Sequence, residues 1–386
     1  MIKIYTACTE EIDDVDAAVS GLFEQLKPDE NLLKNSAALV HCHYEFIGSG
    51  VVEELTRRLG FPVVGTTTMA LGLSGFLGEM GLSLTVLTSN DVRFSSGISD
   101  PVDSCEISKP VTDLYRKVSE GFDEKPSLVF TFPPLLKGEG QGGDVFVAEL
   151  DKACGGDVPL FGTLPVTNEI DERMSLVLYG GKTYESSMAL LACYGDLKPE
   201  FYTVAITEKA LQAKRAKITG EKLNGIESIN NMPAEKYLET LGLSVSSLAC
   251  MPIVIYQEDG SKIFRVGIKI IDNGSLMITG TVPGNAEVSF SLINDKDIVA
   301  STEKLLEDII KNKSTEGRGL LIYACASRFW LLGSQWETEP GKAVSIIKDT
   351  VPWHFVYSGG EVFPSILANG KVANNLQNYS VIVCML

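Results

Sequence analysis

Arg328 and Glu361 are two residues of opposite charge that could together bind a small ligand. Arg328 lies just after the apolar run GLLIYACA, and Glu361 follows the apolar run VPWHFVYS. An arginine fork binds a carboxylate through two parallel hydrogen bonds, and a carboxylate can bind an ammonium. The pair would therefore suit a zwitterion such as an amino acid. The alternative is an ion pair between Arg328 and Glu361 that closes the sheet edge without a ligand.

Further ligand contacts are predicted around short glycine-containing segments. Gly65, Thr66 and Thr67 offer backbone donors and hydroxyls at the end of an apolar run, although ordinary turn capping is the alternative. Near Glu361, Gly360 permits close backbone approach, and Tyr357 supplies an apolar wall with a hydroxyl. We add Cys325 to this predicted set because it stands three residues before Arg328.

Cys325 also raises the alternative of an enzyme. A reactive thiol needs a base or a positive neighbour that lowers its pKa, and Arg328 or His354 could serve if the chain curls. A hydrolase or transferase using Cys325, or a threonine of residues 65–68, is thus the competing function. A buried structural cysteine is the simpler interpretation.

Two other patterns suggest cofactors and are not supported. The motif HCH places His41 and His43 on one face of a strand, but zinc needs three or four converging ligands, so core histidines are expected. Residues 138–143 read GEGQGG, which satisfies GxGxxG, yet PPLLK separates it from the strand and no acidic residue ends the next strand. We expect a flexible loop, no metal and no cofactor.

Three similar phrases indicate the elements that position these residues. FPVVGTTT, VPLFGTLP and VPWHFVYSGGE each follow a strand, a loop and a helix, and each precedes another apolar run: residues 82–87, 174–179 and 379–386. Strand, helix, strand implies a parallel pair with a right-handed crossover, whose ligands lie beyond the carboxyl ends of the strands. We therefore predict that each phrase ends in a tight glycine turn at that edge.

The unequal spacing of the phrases predicts an inserted segment between the second and third units. It contains a helix at residues 233–242 and hairpin signals EDG and DNG, followed by a helix at residues 298–312 with Ser301 as N-cap. Gly72, Gly75, Gly78 and Gly81 suggest a flexible flap after the first phrase. The class is α/β with antiparallel hairpins, in two domains, residues 1–200 and 201–386.

The amino-acid composition disfavours some classes of binding partner. The 386 residues carry a net charge of −17, which disfavours nucleic acid and anionic membranes as partners. The N-terminus lacks the apolar stretch of a secretory signal, and the eight cysteines stand singly, as expected of reduced thiols. We expect a cytoplasmic protein, with no prediction of its oligomeric state.

The ordered set of motifs resembles the FIST proteins. It comprises VVGTTT, LFGTLP, ITGEKLNG with PAEKYLETLG, CASR at residues 325–328 and SGGEVFP at residues 358–364. The resemblance implies an N-terminal and a C-terminal FIST domain and a sensory module for small molecules, with amino acids as proposed ligands. The second phrase reads GTLP where the family often has another glycine, which weakens a binding role for that unit. A separate signalling partner would read the module; a scaffold without a ligand is the remaining alternative.

Overall fold

The computed structural model describes residues 2–102, 106–136, 142–168, 174–206, 214–222, 224–244, 251–257, 261–271, 273–291, 293–348, 350–366 and 372–386. Helices and mixed sheets alternate through this part of the chain, which confirms the α/β class. Four sheets are formed, and three of them repeat one strand arrangement. The fold therefore consists of three related units and one inserted sheet.

The first unit sets the pattern. Its elements are β1 (Ile2–Thr9), α1 (Val15–Leu26), α2 (Pro28–Asn31), β2 (Asn35–Cys42), α3 (Val51–Leu59), β3 (Val63–Thr67), β4 (Leu71–Leu73), β5 (Phe76–Gly78) and β6 (Leu82–Ser89). Strands β2 and β3 are parallel, while β6 is antiparallel to both β1 and β2. The helix α3 ends at Gly60, whose left-handed φ of 67° lets the chain turn back into β3.

The second and third units repeat this order. The second contains β7 (Arg93–Ile98), α4 (Ser108–Ser119), β8 (Leu128–Phe132), α5 (Gly143–Cys154), β9 (Leu160–Thr163), β10 (Val177–Tyr179), β11 (Lys182–Tyr184) and β12 (Ala189–Tyr194). The third begins with β13 (Glu200–Val204). In each unit the core order is first, last, second and third long strand, with the second and third parallel.

The insertion follows β13 and forms a separate antiparallel sheet. It contains β14 (Ala216–Lys222), β15 (Gly225–Ile229), β16 (Met232–Pro233), α6 (Ala234–Thr240), β17 (Pro252–Tyr256), β18 (Lys262–Ile270), β19 (Leu276–Ile278) and β20 (Glu287–Phe290). These seven strands, called the inserted sheet below, have their own apolar core. The expected insertion, its helix and its antiparallel strands are thus present, although all of EDG and the first residue of DNG lie outside the described residues.

The third unit then resumes. It continues with α7 (Asp295–Asn312), β21 (Leu320–Cys325), α8 (Ala326–Leu332), α9 (Thr338–Ile347), β22 (Trp353–Ser358), β23 (Glu361–Ile366), β24 (Val372–Gln377) and β25 (Val381–Met385). The N-cap of α7 is Asn294, which shares a reciprocal capping box with Asp297. The predicted cap Ser301 is wrong; it lies within the helix and donates to the Ile298 carbonyl.

The three units exchange hairpins. Strand β4 pairs with β22 of the third unit, β10 pairs with β3 of the first, and β23 pairs with β9 of the second. Each unit thus extends the sheet of another in a cyclic order. The apolar run at residues 174–179, which follows the second phrase, contains β10 of the first sheet, and β12 is the last strand of the second unit. Gly72, Gly75 and Gly78 of the predicted flexible flap lie instead in the hairpin β4–β5. Strand β4 of this hairpin pairs with β22.

A central core lies between the inner faces of the three repeated sheets. It includes Leu39, Phe130 and Leu321, one residue from the second long strand of each unit. The helices cover the outer faces with separate apolar clusters. Strands buried on both faces read as continuous apolar runs, as the sequence has them. In the described ranges no helix is both long enough and apolar enough to cross a membrane.

Candidate functional site

The glycines of the repeated phrases lie in strands, and the predicted glycine turn is wrong for two of the three copies. Gly65 pairs with Val40 and Gly162 with Thr131 between parallel strands. A Cβ on Gly65 would stand 1.7 Å from the Val40 carbonyl oxygen, and one on Gly162 would stand 1.9 Å from that of Thr131. Glycine is needed there because the neighbouring backbone occupies the side-chain position.

The third phrase has the same strand register but a different residue at the paired position. Phe355 is the third residue after its proline, as Gly65 and Gly162 are after theirs, and it pairs with Ile322. The glycines Gly359 and Gly360 come later, beyond the strand. Only this copy therefore places its glycines at the strand end, as predicted.

The segments that follow β3, β9 and β22 converge at one place. Gly359 donates its N–H to the Leu164 carbonyl and Leu164 donates to Gly360, each at 3.0 Å. The Thr68 hydroxyl donates to the Tyr357 carbonyl at 2.6 Å. We call residues 66–70, 163–166 and 357–361 the strand-end cluster. Hydrogen bonds thus join the three segments directly at this cluster.

Glu361 is the acidic residue of this cluster and is fully buried. Ser358 donates to its Oε1 and Ser380 to its Oε2, both at 2.7 Å. In the part of the chain that the structure describes, no basic side chain forms an ion pair with it. Burial raises the pKa of the Glu361 carboxyl to about 8, against the opposing effect of the two serine hydrogen bonds and the Arg328 charge. At neutral pH this carboxyl is mostly protonated.

Arg328 is also fully buried but has a complete set of protein partners. Its Nε donates to Glu339 Oε1 at 2.8 Å, and its Nη1 donates to the carbonyls of Ala205 and Tyr379. The Nη2 group donates to the acceptors of Ile298, Ser301 and Thr302. The alternative of an ion pair between Arg328 and Glu361 is therefore wrong, because Glu339 is the carboxylate that neutralises the guanidinium.

Tyr357 belongs to the same buried network as Arg328. Its hydroxyl donates to Glu339 Oε2 at 2.9 Å, and burial raises its pKa well above the ordinary value, helped by the nearby Glu339. Thr302 donates to Glu339 Oε1 at 2.6 Å. Glu339 was not identified from the sequence as a partner of Arg328. The two residues lie 11 positions apart on two short helices, and this spacing does not predict a contact.

The threonines after Gly65 also have protein partners. Thr66 Oγ1 lies 3.0 Å from His41 Nδ1, and Thr67 Oγ1 accepts from the Leu176 N–H at 2.9 Å. Both side chains are buried. Whether Gly65, Thr66, Thr67, Arg328 or Tyr357 contacts a ligand stays a prediction.

Cys325 ends β21 and packs near Glu361. Burial raises the pKa of its thiol to about 12, and the Glu361 charge acts in the same direction. A thiol in this state is protonated at neutral pH and is a poor nucleophile. The enzyme alternative gains nothing from this geometry.

The histidines lie in packed surroundings. His41 Nε2 is 3.1 Å from the Tyr323 hydroxyl, and His354 Nδ1 is 2.7 Å from Thr85 Oγ1. Burial lowers the pKa of His354 to about 3 and that of His41 well below its ordinary value. Within the described ranges, no group of three or more metal-ligating side chains is found. Residues 137–141, most of the GEGQGG motif, lie outside the described residues.

Comparison with family models identifies the chain. The model of the FIST N domain matches residues 36–232, and that of the FIST C domain matches residues 233–364. The chain belongs to the FIST family. FIST domains are small-ligand sensory domains of signalling proteins, which is the role that the resemblance implied. The predicted boundary at residue 200 stays a prediction.

Other comparisons give weaker likenesses of this FIST protein. No curated protein matches its sequence. A cyanuric acid hydrolase structure from A. caulinodans is 9% identical with a TM-score of 0.40, covering 100% of this chain and 99% of its own. A chorismatase structure is 10% identical with a TM-score of 0.38, covering 100% of this chain and 99% of its own. At these TM-scores neither structure supports an argument about this chain.

Proposed function

We propose that this FIST protein is a sensory module that binds a small polar metabolite carrying a positively charged amino group, with amino acids as the first candidates. Glu361 contacts that group, with Gly360 and Cys325 beside it. The observation that carries the proposal is the buried carboxyl of Glu361, which has two hydroxyl donors and no basic partner in the described part of the chain. A buried ionisable group with a strongly raised pKa is a recognised cue for a functional site.

The charge of the ligand follows from the needs of this carboxyl. Ionising a buried carboxyl costs free energy unless an opposite charge lies close to it. A protonated amine would supply that positive charge. Arg328 does not supply it, because its guanidinium pairs with Glu339. An uncharged or anionic ligand would leave Glu361 protonated and would gain no ion pair.

Burial of Glu361 also suggests how binding becomes a signal. A ligand reaches this carboxyl only when the surrounding segments separate, so the liganded and free conformations differ. Differential affinity for two conformations is what allows a ligand to shift their populations. A separate signalling protein would then distinguish the two conformations.

Thermal unfolding with matched ligand pairs tests the proposal. Each amine is paired with its amine-free analogue, for example glycine with acetate and 4-aminobutyrate with butyrate, within a wider set of amino acids. We expect at least one amine, and not its analogue, to raise the unfolding temperature, because ligand at 100 times its Kd adds about 2.7 kcal/mol to stability. A library without any amine-specific shift contradicts the proposal.

Two variants assign the effect to Glu361. The variant E361Q keeps the shape but cannot ionise, so the amine-specific shift should disappear. The control E303Q removes a half-exposed carboxylate of α7 that pairs with Lys342, and it should keep the shift. A shift that survives in E361Q places the ligand elsewhere.

A further inference from the structure

The inserted sheet makes a specific contact with the chain next to Glu361. Residues 376–380, called the linking segment here, connect the end of β24 to the start of β25. The Phe264 N–H of β18 donates to Gln377 Oε1 at 3.0 Å, and the Asn378 N–H donates to the Phe264 carbonyl at 3.2 Å. These two bonds join the linking segment to the backbone of the inserted sheet.

Side chains of the inserted sheet hold the same segment. Arg265 Nη1 donates to the Leu376 carbonyl at 2.8 Å, and Thr279 Oγ1 donates to Asn378 Oδ1 at 2.7 Å. Arg265 and Asn378 are each only 2% exposed. The contact is therefore buried and directional, which distinguishes it from a loose contact between neighbouring surfaces.

The other side of the linking segment holds the site. Ser380 donates to Glu361 Oε2, and the Tyr379 carbonyl accepts from Arg328. Gln377 lies opposite Glu361 in the β23–β24 pair. Between the two contacts stands Tyr379, which is fully buried in the left-handed conformation at φ 58°. Only a few residues, held in a restricted backbone conformation, separate the Glu361 carboxyl from the inserted sheet.

The junction with the second unit is incompletely satisfied. Arg265 Nη2 pairs with Asp144 Oδ2 at 3.3 Å, but Arg265 Nε and Asp144 Oδ1 have no hydrogen-bond partner among the described residues. Buried polar atoms without partners cost free energy. Thr281, between β19 and β20, also donates its N–H and its Oγ1 to Asp144 Oδ2, at 2.7 and 2.5 Å. This junction therefore combines three hydrogen bonds with two buried polar atoms that have no partner in the described ranges.

We propose that the inserted sheet reads the state of Glu361 through the linking segment and so serves as the output element of the sensor. This inference rests on the proposed function for its biological meaning. Ionisation of Glu361 commits both serine hydroxyls to the carboxylate and pulls on Ser380. The displacement passes through Tyr379 to Asn378 and Gln377, which bond to β18.

Hydrogen exchange tests this coupling without any ligand, because a pH step changes the state of Glu361 directly. Exchange of the β18 peptide, residues 262–270, is measured at pH 6 and pH 9 and corrected for intrinsic rates. We expect its protection to fall about 5-fold or more at pH 9 in the unaltered protein, and to stay constant in E361Q. Two groups act electrostatically on Glu361: Cys325, whose raised pKa keeps it a thiol, and Arg328, which stays charged.

Single-residue variants test whether the linking segment carries the coupling from Glu361 to β18. Q377A removes the acceptor for the Phe264 N–H and should reduce the pH response of β18. N375A is the matched control on β24, because its amide donates to Ala373 of the same strand, and it should keep the response. S380A removes the hydrogen bond through which Glu361 pulls on the linking segment and should also reduce the pH response of β18.

Two results would overturn the inference. One is equal β18 protection at both pH values in the unaltered protein. The other is an equal loss of protection in β1, which would indicate global destabilisation. A β18 response without any ligand hit would refute the proposed function and leave the coupling intact, whereas a ligand hit without a β18 response would do the reverse.

Discussion

Arg328 and Glu361 differ in how the protein compensates a buried charged side chain. Arg328 has the Glu339 carboxylate and acceptors for all its N–H groups, whereas Glu361 has two serine hydroxyls and no basic partner in the described ranges. Both are fully buried in the third unit. Complete compensation is typical of a structural residue, and incomplete compensation marks the position where a ligand can add the missing charge.

The largest effect is expected when the compensated residue is removed. R328M leaves the buried Glu339 carboxylate without its positively charged partner and several carbonyls without their donor, so we expect a loss of about 3–5 kcal/mol in the free energy of unfolding, measured with urea. K342M removes a partly exposed ion pair with Glu303 and should cost less than about 1 kcal/mol. Equal stability of the two variants would mean that Arg328 is not structural.

Glycine-to-alanine variants give the next largest effect, because they test whether Gly65 is required for close packing of neighbouring strands. G65A places a methyl group onto the Val40 carbonyl, and we expect a loss of about 1–3 kcal/mol or more in unfolding free energy. G21A in α1 has no heavy atom within 4 Å of the new Cβ and should stabilise the protein by up to about 1 kcal/mol. If G65A unfolds like G21A, the glycine is not required for packing.

These glycines also explain how far the sequence could predict the structure. The order of strand, helix and parallel strand was predictable because apolar runs and helix ends are local signals. The exchange of β4, β10 and β23 was not, since neither the three-residue strands β4 and β10 nor the six-residue strand β23 carries a local signal that identifies its partner. Gly65 indicated a position where only glycine fits. Both a tight turn and a close contact between strands favour glycine, so the sequence could not distinguish the two.

The candidate site was predictable in part for a similar reason. Glu361 stands out as an acidic residue after an apolar strand and two glycines. Its serine partner Ser380 and the Arg328 partner Glu339 were not foreseen, because those contacts form only after the strands and helices of the third unit pack.

The pH dependence of unfolding tests whether Glu361 has a raised pKa in the folded protein. Its folded pKa of about 8 lies above the ordinary 4.5, so its contribution to stability is complete below about pH 4.5 and is lost as pH rises towards 8. E361Q lacks this titration. Its unfolding free energy, measured with urea from pH 5 to pH 9, should rise relative to the unaltered protein by at most about 1.4 kcal/mol per pH unit and level off above pH 8. Parallel curves would show that Glu361 titrates normally.

Thiol reactivity gives the smallest expected effect and examines the enzyme alternative. Cys8 is partly exposed and Cys325 is buried, while burial raises the pKa of both thiols, to about 11 and about 12. With iodoacetamide at pH 7, peptide mass spectrometry should find Cys8 modified before Cys325, with both labelled in urea. Rapid native labelling of Cys325, blocked by a ligand, would favour a catalytic thiol.

Calorimetry with the amine that gives the largest thermal shift measures whether ligand binding removes the proton from Glu361. At pH 7 its binding heat is measured in two buffers with different protonation enthalpies. If a protonated amine binds to Glu361, the carboxyl must lose its proton, so the heats should differ by an amount corresponding to nearly one proton released per site, and this difference should be absent in E361Q. Equal heats in both buffers for the unaltered protein would contradict the assignment of Glu361 as the ligand contact.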